Sequence, residues 1–367
     1  MGEQVKAIGL MSGTSMDGID AAVIETDGEG EVVSLGTLTV PFDERLGGLL
    51  WRSIEAAAGL NDRADRPEPL GEAEAALTDA HGLAVERLLD QEGLTPDDIR
   101  VVGFHGQTVL HRPERGLTVQ LGDGAGLAAR TGIDVVNDLR ANDMLAGGEG
   151  APLAPVYHQA LAHKVSPRPV AFLNVGGVAN VTWIGGEGGP IAFDTGPGNG
   201  LLDQWIRQHT GGLMDEGGAI AAAGSVNAQV LDLLLDHAYF DRPPPKSLDR
   251  FDFSLEPLQG LSLEDGAATL VAFTGSTVAR ALAHLPAAPK LWVVCGGGRH
   301  NPAVMASLEE ALDVPVHGAE KAGFSGDTIE AEAFAYMAVR SLKGLPISFP
   351  TTTGVAQPVT GGVLHRA

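Results

Sequence analysis

Two stretches decide the fold: VKAIGLMSGTSMDGIDAAVIE (residues 5–25) and VAFLNVGGVANVTWIGGEGGPIAFDTG (residues 170–196). In the first, the apolar runs 5–10 and 19–25 flank a turn of small residues, and a third run, VVSLGTLTV (32–40), follows another glycine-rich turn. Short apolar runs bounded by glycine turns predict three consecutive antiparallel strands. The second stretch repeats the plan, with strands at 170–177, 178–186 and 191–196.

Outward from each triplet the pattern changes. Residues 72–93 carry apolar positions at helical spacing, and IRVVGF (99–104) and GIDVVND (132–138) read as strands. In the second half, 200–210, 225–238 and 265–285 read as helices, LWVVCGGG (291–298) as a buried strand entering a glycine turn, and 327–342 as a late helix. A triplet followed by alternation, used twice, predicts an α/β protein of two related lobes facing a cleft, where ligands usually bind. The lobe boundary is expected near 138–152, and DRPPPKS (241–247) reads as a flexible loop, since its three prolines bar helix and central strand alike.

Composition narrows the function. With 24 Lys+Arg against 47 Asp+Glu the net charge is −23, which disfavours nucleic-acid partners and anionic membrane surfaces. Fifty glycines with only 5% aromatics point to tight turns and close backbone approaches. A single cysteine, Cys295, leaves no intramolecular disulfide and fits a reducing compartment. With no signal-peptide pattern and no apolar run of membrane-spanning length, the expectation is a soluble cytoplasmic protein.

Several segments could carry chemistry. In the turn Gly13-Thr14-Ser15-Met16-Asp17-Gly18, backbone N–H groups and two hydroxyls can converge on a phosphate, and Asp17 beside a phosphate calls for a bridging Mg²⁺; a plain hairpin turn is the alternative. Asp194, at a strand end before Gly196-Pro197-Gly198-Asn199, is placed to act as a general base, or to form an Asx turn. The glycines Gly296, Gly297 and Gly298 allow close approach of a nucleotide base or ribose, or form a simple strand-to-helix turn, and Cys295 reads as a packed residue rather than a nucleophile. His105 and Gln107 offer polar groups on a glycine turn suited to a sugar. Asp327-x-x-Glu330 looks like a capping box, with Glu330 at a cleft wall or serving the helix dipole. No P-loop, Rossmann, serine-hydrolase-elbow or HExxH pattern occurs.

Taken together, GLMSGTSMDGID (9–20), HGQTVLHRP (105–113), RTGIDVVND (130–138), GAPLAP (150–155), NVGGVANVT (174–182), FDTGPGN (193–199), CGGGRHNP (295–302) and GDTIEAEAFA (326–335) resemble the anhydro-N-acetylmuramic acid kinase family, in order and over nearly the whole chain. The resemblance implies the actin/sugar-kinase (hexokinase-like) fold of two duplicated ribonuclease-H-like lobes, here 1–138 plus 345–367 and 139–344. It implies ATP and Mg²⁺, an amino-sugar substrate opened by water and phosphorylated at O6 in peptidoglycan recycling, and a homodimer. Site residues implied are Gly13, Thr14, Ser15, Met16, Asp17, Gly18, Ile19 and Asp20 for ATP phosphates, with Asp17 also for Mg²⁺. On the second lobe they are Gly176, Gly177, Gly196, Gly198, Asn199 and the triplet Gly296 to Gly298, with Asp194 as the base that activates water; His105, Gln107 and Glu330 face the sugar. The chain departs from the family pattern at Glu149, at Gly124-Ala125 and at Leu248-Asp249. Three other readings stay open: a kinase for an ordinary sugar or amino-sugar hydroxyl, an actin-like ATPase gated by a partner, and a glycosidase using Asp194 with Glu330. For a kinase, the lobes are expected to close on ATP and sugar so that ATP is not wasted on water.

Overall fold

The computed structural model describes residues 3–13, 16–186, 188–248 and 252–367. Among the described residues the strands are β1 (Val5–Ser12), β2 (Gly18–Thr26), β3 (Val32–Pro41), β4 (Val101–Arg112), β5 (Leu117–Leu121), β6 (Val135–Asn137), β7 (Val170–Val175), β8 (Val178–Ile184), β9 (Ile191–Pro197), β10 (Leu291–Cys295), β11 (Val316–Gly318) and β12 (Val363–His365). Both strand triplets are present, and the chain divides into two compact units: residues up to His163 together with Thr328–Ala367, and Lys164–Asp327.

In the first unit the sheet runs β12-β6-β4-β1-β2-β3, with β5 paired to β4. β1 is antiparallel to β2 and parallel to β4, β4 is parallel to β6, and β2 is antiparallel to β3. The second unit repeats this order and polarity as β11-β10-β7-β8-β9. This is the duplicated α/β plan predicted from the two triplets. The central strands are covered on both faces, which is why they read as continuous apolar runs rather than alternating ones. LWVVC in β10 is buried at every position, whereas the edge strand β3 is largely open.

Helices cover the sheets. Leu263–Ala281 starts at Ser262, whose hydroxyl accepts from the Asp265 N–H at 3.1 Å, with Glu264 and Asp265 complementing the helix dipole. It buries Phe273 and Val278 against the core that holds Phe193 and Trp292. Ile329–Leu342 packs on β1, β2 and β4 so closely that a Cβ on Gly9 would lie 1.8 Å from the Ala331 carbonyl oxygen, and one on Gly103 2.0 Å from that of Phe334. Only glycine permits that approach.

This packing corrects two sequence expectations. The helix Ile329–Leu342 belongs to the first unit, so the division falls at 163/164 and 327/328 rather than at 138/139 and 344/345. Residues 139–163 also stay with the first unit, because Tyr157 donates to Glu332 at 2.6 Å and its ring meets Tyr336 at 5.4 Å. Second, β4 does not end at residue 104 but continues to Arg112 and pairs with β5, Leu110 opposite Val119. His105 and Gln107 therefore lie inside a strand, at a kink where Gly106 has φ +72°. Among the described residues no single helix is long and apolar enough to cross a membrane.

Candidate active site

In the second unit the site is built at the ends of β7, β9 and β10. The two-residue turn Gly176-Gly177 joins β7 to β8, and the chain leaving β9 folds back onto it: the N–H groups of Gly198 and Gly200 donate to the Gly177 carbonyl at 3.0 and 3.1 Å, and that of Asn199 to the Gly176 carbonyl at 2.7 Å. Asn199 Nδ2 donates to the Val175 carbonyl at 3.3 Å. A Cβ on Gly198 would meet the Gly176 oxygen at 2.2 Å, and one on Gly296 would meet Asn174 Oδ1 at 2.2 Å, so both glycines are required by the packing. Gly177 and Gly297 are different: a Cβ on Gly177 would meet nothing within 4 Å, and one on Gly297 only Asn199 Nδ2 at 3.8 Å. Their backbone is open to a ligand. Gly176, Gly177, Gly196, Gly198, Asn199 and Gly296 to Gly298, picked from separate stretches of sequence, thus belong to one interlocked set of turns. Thr274, which the sequence did not single out, secures it by donating to the Pro197 and Gly198 carbonyls at 3.1 and 3.2 Å.

Asp194 sits in β9 beside this set. Its N–H donates to the Lys246 carbonyl at 3.0 Å, its carbonyl accepts from the Tyr239 hydroxyl at 2.6 Å, and its Oδ2 accepts from the Leu248 N–H at 2.8 Å. Burial, reinforced by the negative charge of Asp194, pushes the Tyr239 hydroxyl far above its ordinary pKa. Tyr239 therefore stays a neutral donor. All three contacts come from the segment around DRPPPKS, so the stretch expected to be a loose loop is tied to the site. Nothing local in the sequence marks Tyr239 or Lys246 for this role, since their partner lies about fifty residues earlier.

Behind the third glycine turn, Cys295 is buried and its thiol donates to the Leu173 carbonyl at 3.6 Å, in keeping with a packing role. Asp327 is not a helix cap as the sequence suggested: the helix starts at Ile329 behind the N-cap residue Thr328, which makes no side-chain cap, and the Asp327 carboxylate instead meets Arg299 at 2.6 Å and His300 at 3.3 Å. Hydrogen bonding from Arg299 holds that carboxyl below the usual range. Arg299 also donates to Glu320 at 2.9 Å and to the Gly296 carbonyl at 3.0 Å, which fixes the turn from below.

The first unit gathers a different set. Thr14 and Ser15 lie outside the described residues. Of the same turn, Met16 is buried with φ +54° and donates its N–H to the Gly13 carbonyl at 3.2 Å, while Asp17 is exposed and Gly18 and Ile19 open β2. Gln107, fully buried, donates to the Gly13 carbonyl at 3.0 Å, and its Oε1 has no partner among the described residues. His105 spends both ring nitrogens inside the unit: Nδ1 donates to the Gly106 carbonyl at 2.6 Å, and Nε2 accepts from Arg140 at 3.0 and 3.2 Å. Burial, then the Arg140 charge, keeps the ring well below its ordinary pKa and hence neutral. Burial raises the Glu330 carboxyl, which Arg140 opposes and Asp20 reinforces. Arg140, missed by the sequence reading, thus binds His105 and acts on Glu330 through its charge, and its Nη1 also donates to the Gly150 carbonyl at 2.8 Å. Asp20 accepts from Thr39 at 2.6 Å. Among the described residues no group of three or more His, Cys, Asp or Glu is disposed to hold a metal ion.

A duplicated α/β protein with open glycine backbone beside β7 and β10 and, in β9, an aspartate held at its N–H, its carbonyl and one carboxylate oxygen has the arrangement of a phosphotransferase, an enzyme that moves a phosphoryl group onto an alcohol oxygen. Residues 5–367 match the family described as Anhydro-N-acetylmuramic acid kinase. The chain is 56% identical over 362 residues to an anhydro-N-acetylmuramic acid kinase of Rhizorhabdus wittichii, covering 98% of both chains, and 54% identical to one of Rhodospirillum rubrum, covering 99% of this chain and 95% of that one. The chain belongs to the anhydro-N-acetylmuramic acid kinase family. Likeness to solved structures is slight: the activator of 2-hydroxyisocaproyl-CoA dehydratase from Clostridium difficile with bound ADPNP gives a TM-score of 0.45 at 11% identity, covering 92% of this chain and 97% of that one.

Proposed function

We propose that this kinase uses ATP to convert 1,6-anhydro-N-acetylmuramic acid and water into N-acetylmuramic acid 6-phosphate and ADP, a cytoplasmic step of peptidoglycan recycling. The observation that carries the reading is the full-length family match together with the setting of Asp194 in the FDTGPGN segment, beside open glycine backbone.

In the proposed reaction Asp194 takes a proton from water as its oxygen bonds to the anomeric carbon. The C1–O6 bond breaks, its electron pair stays on O6, and O6 displaces ADP from the γ-phosphorus. Gly177 and Gly297 fit phosphate and nucleoside because no side chain stands where a Cβ would be. The Gly13–Asp20 turn is the first phosphate loop in this reading, Thr14 and Ser15 included. Asp17, exposed beside that turn, fits Mg²⁺, which asks for one or two carboxylates and completes its shell with phosphate oxygens and water. When bound, Mg²⁺ screens the phosphate charge. Gln107 and Glu330 hold the sugar, and His105 serves it through Arg140. The resemblance extends the proposal to a homodimer, which sedimentation would test.

The deciding experiment is incubation with Mg-ATP and the anhydro sugar in ¹⁸O-water, read by mass spectrometry. A phosphorylated sugar carrying ¹⁸O at C1 is expected. Phosphorylation without ¹⁸O would leave an ordinary sugar kinase, and ADP formation without phosphorylated sugar would leave a partner-gated ATPase.

A further inference from the structure

Lys246 is a buried lysine, 6% exposed, in the proline-rich segment. No carboxylate lies within 4 Å of it among the described residues. Its ammonium donates to the carbonyls of Tyr239 and Phe240 at 3.1 and 3.2 Å and stands over the rings of Tyr239 and Phe193 at 4.8 and 5.7 Å. A buried ammonium held by two carbonyls, two ring faces and the His284 Nε2 at 3.3 Å, with no carboxylate against it, is costly to keep, which calls for a return elsewhere. The return lies at Asp194. Tyr239 holds the Asp194 carbonyl, Lys246 holds its N–H, and Leu248 holds its carboxylate. These three anchors sit on one segment, and the Lys246 ammonium is the tie between its two ends.

We propose that Lys246 is a positioning residue for Asp194, its ammonium closing the Tyr239–Leu248 segment into a clamp that aims the carboxylate. This rests on the reading of Asp194 as the base.

The clamp is pH-sensitive. Burial, then the Arg242 charge, pushes the Lys246 ammonium down to about 8, against the pull of Asp241. Among the described residues the other titratable or charged groups near the segment are Tyr239, a neutral donor; Asp194 and Asp252, whose charges act on Tyr239; His284, whose Nε2 lies 3.3 Å from the ammonium and 2.8 Å from the Phe240 carbonyl; and Arg280, over the Phe240 ring and hydrogen-bonded to the Leu235 carbonyl. As pH rises through that value the ammonium loses a proton, the tie weakens and turnover falls.

The test is steady-state kinetics with Mg-ATP and the anhydro sugar for Lys246→Met, Lys246→Arg and Asp194→Asn across pH about 7 to 9.5, with a thermal melt of each. Lys246→Met is expected to lower kcat by about 10- to 100-fold with KM for both substrates little changed, because aim is lost rather than binding. Lys246→Arg keeps the charge at every pH tested; it is expected to restore much of kcat and to move the alkaline decline upward. A Lys246→Met enzyme with kcat near wild type would overturn the inference. If that variant fails to fold, an alkaline decline left in place by Lys246→Arg would do the same. Loss of activity in Asp194→Asn beside a normal Lys246→Met would remove only the positioning role, whereas an active Asp194→Asn would remove the base assignment itself.

Discussion

The two units share one strand plan, β6-β4-β1-β2-β3 against β11-β10-β7-β8-β9, yet bury opposite chemistry at their strand ends. The first unit packs neutral histidines, Arg140 and Glu330 around β4. Burial drives His81 and His111 down to about 4 and His158 to about 3. The second unit presents bare glycine backbone and one carboxylate, clamped by a segment tied with a buried lysine. Duplication copied the sheet, whose requirements are backbone pairing and apolar cover. It left the loops free to diverge, and chemistry resides in loops held by a rigid scaffold.

The comparison can be broken most sharply at the two carboxylates. Asp194→Asn is expected to reduce kcat by about 10³-fold, in the range that general bases supply. Glu330→Gln, on the side assigned to sugar contact, is expected to cost less and to act more on KM than on kcat. A larger kcat loss at Glu330 than at Asp194 would move the base to the first unit.

Next in size is the scaffold. Gly103→Ala forces a Cβ against the Phe334 carbonyl oxygen and is expected to destabilise the first unit by about 3 kcal/mol or more, measured by urea unfolding. No loss would mean that the helix Ile329–Leu342 does not lie on β4 as described.

Acid should weaken the first unit through its histidines. A histidine held neutral in the native state takes up protons more readily when unfolded, so its stabilising contribution is complete above the unfolded value near 6.5. For His81 that contribution is lost as pH falls from there toward about 4, and for His158 toward about 3. The His81 share alone is of the order of 3 kcal/mol. Urea midpoints should therefore fall between pH about 6.5 and 4, and His81→Phe should flatten part of that fall. A midpoint indifferent to pH in this window would contradict the buried neutral state.

The smallest effect is expected at the exposed Arg45–Glu72 pair, 3.2 Å apart and solvated on both sides. Arg45→Ala should change stability by less than about 0.5 kcal/mol.

Much of this is legible in the amino-acid sequence alone. Both triplets, the late helix, read over 327–342 and found at Ile329–Leu342, and the buried strand, read over 291–298 with its glycine turn and found at Leu291–Cys295, follow from apolar spacing and glycine punctuation, which act within about ten residues of chain. The reading failed where the partner was distant. Gly106 looked like the end of a strand because β5, which carries the pairing onward, is a separate segment. Asp327 looked like a cap because Arg299, its actual partner, lies 28 residues away. Lys246 looked like part of a loose proline loop, because its carbonyl and ring partners become visible only when Phe193 and Tyr239 are brought beside it.

The amino-acid sequence by itself thus determined the strand triplets, their duplication, the acidic surface and the family, because each depends on local pattern or on the order of motifs. The tertiary structure decided where the units divide, that Arg140 binds His105 with its charge acting on Glu330, and that Asp194 is held at three points by one segment. Those outcomes depend on which side chains meet across long separations, and that is set by packing and burial rather than by neighbours along the chain.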